Sequence, residues 1–225
     1  MAARFLVEHS IGDAGAFHAR EPGAGRRATF HSVEQPTVVL GSAQEPAVVD
    51  RGVAEALGVN VVSRRSGGGA VLLIPGEFVW LDLVVPADDP LWSDDVAQAM
   101  HWVGELWCGA LDVLGVQAEV YRGALEAGPW GRQVCFAGLG AGEVTLGGAK
   151  LVGVSQRRTR NWARFQSMVH LRFRPELVAS LVAVPRPTAA DLAARVASVS
   201  ATAAQIVDAL VRSEEHTSEL QSRVD

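Results

Sequence analysis

Lysine is nearly missing from this chain of 225 residues: Lys150 stands alone beside nineteen arginines. Cysteine is scarce too, with Cys108 and Cys135 only, and there is a single tyrosine. Two cysteines cannot form a disulfide framework, so a reduced, cytoplasmic setting is expected. The six histidines are scattered and the cysteines lie far apart, which predicts no metal site. No apolar run reaches the roughly 18 residues needed to cross a bilayer. The opening "MAARFLVEHSIGDAG" lacks the apolar stretch of a signal peptide. No membrane partner is expected. Positive charge is not in excess either, and a net charge of −5 argues against nucleic acid as a partner.

What is present is the composition of a globular domain, 48% hydrophobic and 20% charged, long enough to enclose a real core. Residues 1–211 read as one domain. Residues 212–225 read as a non-native tail, because "RSEEHTSELQS" matches the translation of a widely used sequencing-adapter oligonucleotide. The alternative for this segment is a polar, solvated helix end.

The periodicities sketch the elements. "PTVVLG" (36–41) is a buried strand, and Pro46 opens a helix that stops at Gly58. Residues 59–85 read strand, glycine loop, strand, Pro-Gly turn, strand. Ser93 is expected to cap the longest helix, with Val96, Met100, Val103, Trp107, Leu111 and Leu114 as its apolar stripe. "VQAEVYR" reads as a strand. The loop 123–142 follows, with six glycines and a proline. In "EVTLGGAKLVGVSQ" two β-type runs meet at Gly147-Gly148, the signature of a tight hairpin, so Lys150 starts a strand. At such a position Lys150→Arg is expected to cost folding little. A third strand, "RFQSMVHLRF", follows the basic loop "RRTRNWA", and helices follow Pro175, Thr188 and Ser200. Strands in blocks joined by hairpins predict an α+β fold, a mixed, mainly antiparallel sheet flanked by helices.

Two readings of the lone lysine compete. A GC-rich coding bias would leave one lysine by chance. Alternatively, chemistry at this point requires a compact, steerable point charge, which the planar guanidinium of arginine is not. The loop "RRSGGGAV" (64–71) bears on the choice. Its glycines let backbone N–H groups approach a ligand, and its arginines supply charge for phosphate or carboxylate. It has neither the Walker lysine pattern nor a strand-to-helix GxGxxG.

Taken in order, "PTVVLGSAQ", "VVSRRSGGGAV" and "EVTLGGAKLVGVSQRR" resemble the lipoate–protein ligase and octanoyltransferase family over residues 36 to about 173. The resemblance implies a fold shared with biotin ligases and related to class II aminoacyl-tRNA synthetases. It implies Lys150 as the catalytic residue, framed by Gly148 and Gly153. It further implies substrate or nucleotide contacts at Gln44, Arg64, Arg65, Ser66, Gly67, Gly68, Gly69, Ala70 and Ser155. The implied cosubstrates are ATP with magnesium and lipoate or octanoate. The implied acceptor is a lipoyl carrier domain of the 2-oxoacid dehydrogenase or glycine cleavage type. An ATP-independent transferase would draw instead on an acyl carrier protein, and Cys135 is then the candidate nucleophile, unless it is a small buried hydrophobe. A non-catalytic acyl-binding subunit is the remaining alternative.

The chain departs from the family pattern at two points. Leu72, Leu73 and Ile74 stand where many ligases have an aromatic residue and His-Asp. Phe165, Gln166 and Ser167 stand where the family has His-Gly-Thr/Ser. These changes predict a different or roomier acyl pocket, or a lost activity, and no counterpart of the smaller second domain of the full-length ligases is expected in this sequence. Val71, Leu73, Val79, Leu81 and Val152 are expected either to line an acyl slot or to be plain core. The cluster Arg157, Arg158, Arg160 and Arg164 is either a solvated loop or a docking patch for phosphate or an acidic carrier.

Overall fold

A computed structural model describes residues 4–221, with side chains through Ser213. Its larger sheet has the strand order β1 (Leu6–Gly12), β2 (Arg27–Val33), β6 (Phe78–Pro86), β10 (Trp162–His170), β9 (Ala149–Arg158), β8 (Val144–Leu146), β7 (Glu119–Val120). The β1–β2 pair is parallel and every other pair in this sheet is antiparallel. A smaller sheet has β3 (Thr37–Leu40) in its centre, parallel to β4 (Asn60–Ser63) and antiparallel to β5 (Val71–Leu73). The helices are α1 (Ala14–Ala19), α2 (Arg51–Ala56), α3 (His101–Val113), α4 (Pro175–Leu181), α5 (Ala189–Ala193) and α6 (Ala203–Gln221).

Strand β6, "FVWLDLVVP", is apolar almost throughout because both of its faces are covered. By the alternation of a strand, Val79, Leu81, Leu83 and Val85 point one way, into a core with Trp107, Leu111, Phe165 and Leu210 under α3 and α6. Phe78 and Trp80 point the other way, toward the smaller sheet, where they meet Phe17, Leu73, Phe136 and Met168. A further core, around Leu40, Leu72, Leu181 and Leu192, lies beneath the smaller sheet against α2, α4 and α5. Val79, Leu81 and Val152 therefore belong to the helix-covered core and do not line an acyl slot.

The hairpin at Gly147-Gly148 is present, with φ of 57° and 82°. Both glycines need positive φ for a two-residue turn whose twist matches the strands, which explains the pair. The helix expected from Ser93 begins later. Asp95 accepts the N–H groups of Ala97 and Gln98, at 2.8 and 3.0 Å, and a short 3-10 turn at Gln98–Met100 leads into α3. Its carboxylate meets two orphan donors where the Ser93 hydroxyl would meet one. Val96 consequently lies outside the helix and is exposed, while Val103, Trp107 and Leu111 are buried as the stripe requires. The longest described helix is α6, and "VQAEVYR" contributes only the two-residue β7. In α6, Ile206, Ala209 and Leu210 are buried. Leu220 and Val224, in the segment read as a non-native tail, lie outside the residues with described side chains. Among the described residues no helix is long and apolar enough to cross a membrane.

Candidate active site

The glycine loop lies between β4 and β5, at the seam of the two sheets. Arg64 is buried and faces inward: its guanidinium donates to the carbonyls of Val39, Gly67 and Gly69, at 3.2, 2.7 and 2.9 Å for the shortest bond to each. It thereby sets the curve of the loop. A β-carbon on Gly69 would lie 2.6 Å from the Cys135 nitrogen, so only glycine permits the close approach that lets Ala70 exchange backbone bonds with residues 133–135. Ser66, also buried, shares its hydroxyl with Ser155 and donates to Gln166, both at 3.0 Å, pinning the loop to β9 and β10. Gln44 stitches the neighbouring chain: its oxygen accepts the Gly41 N–H and its amide donates to the Arg132 and Gln133 carbonyls. Arg65 points outward to Glu21.

Lys150 sits inside, with 3% of its surface exposed. Its ammonium lies 2.5 Å from Glu143 Oε1 and donates to the Cys135 and Gly138 carbonyls at 3.0 and 3.2 Å. It also stands 5.0 Å from the Phe136 ring centre. A β-carbon at Gly153 would press on that ring at 3.1 Å and on Lys150 Cε at 3.3 Å, so glycine here leaves the room in which the lysine lies. Burial pushes the Glu143 carboxyl above its ordinary value, against the pull of the Lys150 charge. The backbone is fixed as firmly: Lys150 N–H donates to the Arg195 carbonyl at 2.8 Å, and its own carbonyl accepts from Ala197 at 2.9 Å.

Phe136 is a wall common to two cavities. One is an apolar slot of about 50 Å3, walled among others by Val71, Leu73, Trp80, Cys135, Met168 and Gly153. The second is wider, about 250 Å3, and polar, with Lys150, Arg195, Glu126, Gly138 and Gly148 around it. Val71 and Leu73 line the slot as expected. The slot is narrow: Trp80 and Met168 fill the space between the sheets.

Residues 16–221 match the family described as lipoyl protein ligase A/B catalytic domain. The chain belongs to this family. Among solved structures, this lipoyl-ligase domain is similar to protein Ta0514 of T. acidophilum with bound lipoic acid, at 17% identity and a TM-score of 0.73, covering 96% of this chain and 85% of that one. It is similar to a lipoate-protein ligase A bound with ATP, at 19% identity and a TM-score of 0.74, with coverage of 96% and 85%. A bi-partite lipoate protein ligase from Thermoplasma acidophilum, studied with its E2 lipoyl domain, matches at 18% identity and a TM-score of 0.73, over 96% and 84%. At these identities the likeness is one of fold. No curated protein sequence matches the chain.

In this lipoyl-ligase domain the changed positions divide between the two faces of β10. Phe165 enters the helix-covered core edge-on to Trp102, and Ser167 bridges Trp107 to the Leu81 carbonyl. Gln166 faces the slot and joins a buried polar cluster that composition did not announce. Its amide meets His18 Nδ1 at 3.1 Å and Asp82 Oδ1 at 3.3 Å. Asp82 also accepts from His31 Nε2 at 3.0 Å, Trp80 Nε1 at 2.7 Å and Arg164 Nε at 2.8 Å. Arg164 is thus no part of a loop or docking patch: it is buried, and it also donates to the Phe17 and Arg20 carbonyls. The pairing frame explains this, since Arg164 lies inside β10 opposite Val84 and Arg157. Arg157 and Arg158 do lie at the surface end of β9, over Trp162 and Trp92 at 5.1 and 4.1 Å, and Arg160 is exposed between the strands. Cys108 on α3 is half-buried, and burial first, then Glu105 and Glu119, push its thiol up to about 11, which makes it a poor nucleophile.

Two buried histidines give the domain a defined acid response. Burial holds His18 down to about 3; Asp82 opposes it, while Arg64 and Arg164 add to it. Burial likewise holds His170 down to about 4, with Glu77 opposing and Lys150 adding. Both values fall below that of an unfolded histidine, so between pH 6.5 and about 4 the unfolded chain binds more protons and stability drops with pH. The loss should be about 2–3 kcal/mol per histidine by pH 4.5. Thermal melts at successive pH values should show a falling Tm from neutrality downward, with a shallower slope in His18→Gln. A Tm independent of pH across that window would contradict the burial argument.

Proposed function

We propose that this chain attaches a lipoyl or octanoyl group to a lysine of a carrier (lipoyl) domain, through an acyl-adenylate made with ATP. The observation that carries the reading is the buried Lys150 ammonium in the wall of the wider polar cavity, beside the Phe136 ring that divides this cavity from the apolar slot. The slot suits a hydrocarbon chain, and Lys150 with Arg195 offers cations to a nucleotide's phosphates in the wider space. A magnesium ion would travel on those phosphates, as it commonly does. Solved relatives hold lipoic acid in one case and ATP in another, and a third was studied with its E2 lipoyl domain. In the first step the acyl carboxylate attacks the α-phosphate and pyrophosphate leaves. In the second the acceptor lysine attacks the acyl carbon and AMP leaves. Negative charge gathers on the phosphate oxygen and then on the carbonyl oxygen. A fixed cation beside them lowers both barriers. A cytoplasmic setting and acceptors of the 2-oxoacid dehydrogenase or glycine cleavage type belong to the same proposal.

Cys135 favours a second reading, an ATP-independent transferase. Its side chain walls the slot, and its sulfur lies 3.5 Å from where a β-carbon on Gly68 would stand. A thiolate there would attack an octanoyl thioester, release the carrier thiol, and pass the acyl group to the acceptor lysine. One experiment separates the readings. The protein is incubated with a lipoyl domain and either ATP with octanoate or lipoate, or octanoyl carrier protein, and the acceptor is weighed. Acylation with ATP is expected. A mass gain only from the carrier thioester would select the transferase, and none from either donor would leave an acyl-binding subunit.

Acceptor docking is assigned to the Arg157–Arg158 surface. Replacing both with alanine should raise the KM for the lipoyl domain about tenfold while Tm falls only slightly, because half-buried charges at the surface steer partners more than they stabilise folds. Unchanged KM together with unchanged Tm would make the loop merely solvated.

A further inference from the structure

The Lys150 ammonium has three N–H donors, and three acceptors surround it: Glu143 Oε1, the Cys135 carbonyl and the Gly138 carbonyl. A substrate oxygen can gain an N–H from it only by taking the place of one of these. The three are unequal. The two carbonyls are neutral, belong to the short turn Cys135–Ala137 and its end at Gly138, and lie at 3.0 and 3.2 Å. Glu143 is the ammonium's ion-pair partner and is closer, at 2.5 Å. All three bonds share the ammonium's charge, but only a carboxylate can add an opposite charge to it, so the carbonyls yield first.

Glu143 is also the better mounted. Its Oε2 accepts the Gly140 N–H at 2.7 Å, and its Oε1 accepts the Val154 N–H at 3.3 Å as well as the lysine. Its backbone carbonyl takes the Tyr121 N–H at 2.8 Å and its own N–H donates to Gly140. The carboxylate is therefore held by the loop before β8 and by β9 independently of Lys150. A buried ion pair gains little stability over an apolar pair of the same size, and its value lies in fixing a geometry. Here the geometry fixed is that of a cation bordering the polar cavity.

We infer that Glu143 is the positioning residue of the site. It retains the Lys150 ammonium while the Cys135 and Gly138 carbonyls, which occupy two of its donors here, give way to the oxygens of the acyl carbonyl and phosphate. The inference rests on the acyl-transfer reading above and gives the 135–138 turn a function as a place-holder for substrate.

The test is a double-mutant cycle on the whole chain, with the donor that the wild type uses: wild type, Glu143→Gln, Lys150→Ala and the double variant, each measured for kcat, KM and Tm. Glu143→Gln should lower kcat on the order of ten- to a hundredfold, as a misplaced catalytic group does, and leave KM for acyl donor and acceptor within about threefold. In the Lys150→Ala background the same change should have no further effect on kcat, because Glu143 acts through the lysine. Equal losses in both backgrounds, or wild-type kcat in Glu143→Gln, would overturn the inference. If Glu143→Gln does not melt cooperatively, Glu143→Asp is read instead: it keeps the charge but withdraws it, so kcat should fall with KM retained, and wild-type kcat would overturn the inference. A wild type inactive with either donor sinks the acyl-transfer reading and the inference with it; an active wild type with an indifferent Glu143 sinks the inference alone.

Discussion

Replacing Lys150 with arginine is expected to reduce acyl transfer by about a hundredfold or more, although the charge is kept. The ammonium is a point donor set between one carboxylate and two carbonyls, with the Phe136 ring beside it. A guanidinium spreads its charge over three nitrogens and needs a planar slot that Gly153, Phe136 and the 135–138 turn do not provide. Loss of one donor to a developing oxyanion commonly costs this much or more. The fold pays as well, contrary to what the hairpin position implies. The lysine is buried, so the bulkier head overpacks its surroundings and should cost about 1–3 kcal/mol. Mass spectrometry of the acceptor domain beside a thermal melt measures both effects. Turnover near that of the wild type would reduce the lone lysine to a survivor of codon bias.

Asp82→Asn should be the most damaging single change to stability away from Lys150, by about 3–5 kcal/mol. Burial raises the Asp82 carboxyl, but Arg164 and His31 more than offset this and hold it well below the carboxylate range. Asparagine removes the charge and leaves the Arg164 guanidinium buried without its counterion. For a chain of this length the Tm should fall roughly 10–15 °C. Activity would fall with it, because Gln166 and His18, which share the cluster, wall the slot. A melt displaced by only a degree or two would mean that the network relaxes around asparagine, and that the pair contributes little.

The features legible in the sequence are those whose cause is local. Gly147-Gly148 dictates a hairpin through backbone dihedrals alone, so Lys150 could be set at the start of a strand. The β-type runs on either side of the three glycines in 59–85 mark two strands about a loop in an equally local way. The polar cluster has no local cause. Asp82 and Arg164 are 82 residues apart and meet because β6 and β10 pair in one register. The only hint was an acid in an otherwise apolar strand, which is costly unless a partner waits for it. Glu143 was equally quiet, one acid after a run of glycines. Its separation of seven residues from Lys150 becomes a contact only because the hairpin folds back. Arg164 was misread from its neighbours Arg157, Arg158 and Arg160, since a charge count in sequence is blind to which strand face a side chain takes.

The backbone bridge between Lys150 and residues 195–197 bears on how the protein comes off the ribosome. Every wall of the apolar slot named above is drawn from residues at or before Met168 and can assemble as those strands emerge. The lysine's edge of β9, by contrast, waits for Arg195 and Ala197, which at ordinary translation rates follow Met168 after roughly 1–6 s. A nascent chain halted in that interval would own a greasy crevice and the three acceptors of the ammonium before the strand carrying the lysine was anchored. The order of synthesis thus makes the slot and the ammonium's partners the early product and the backbone anchor of Lys150 the late one.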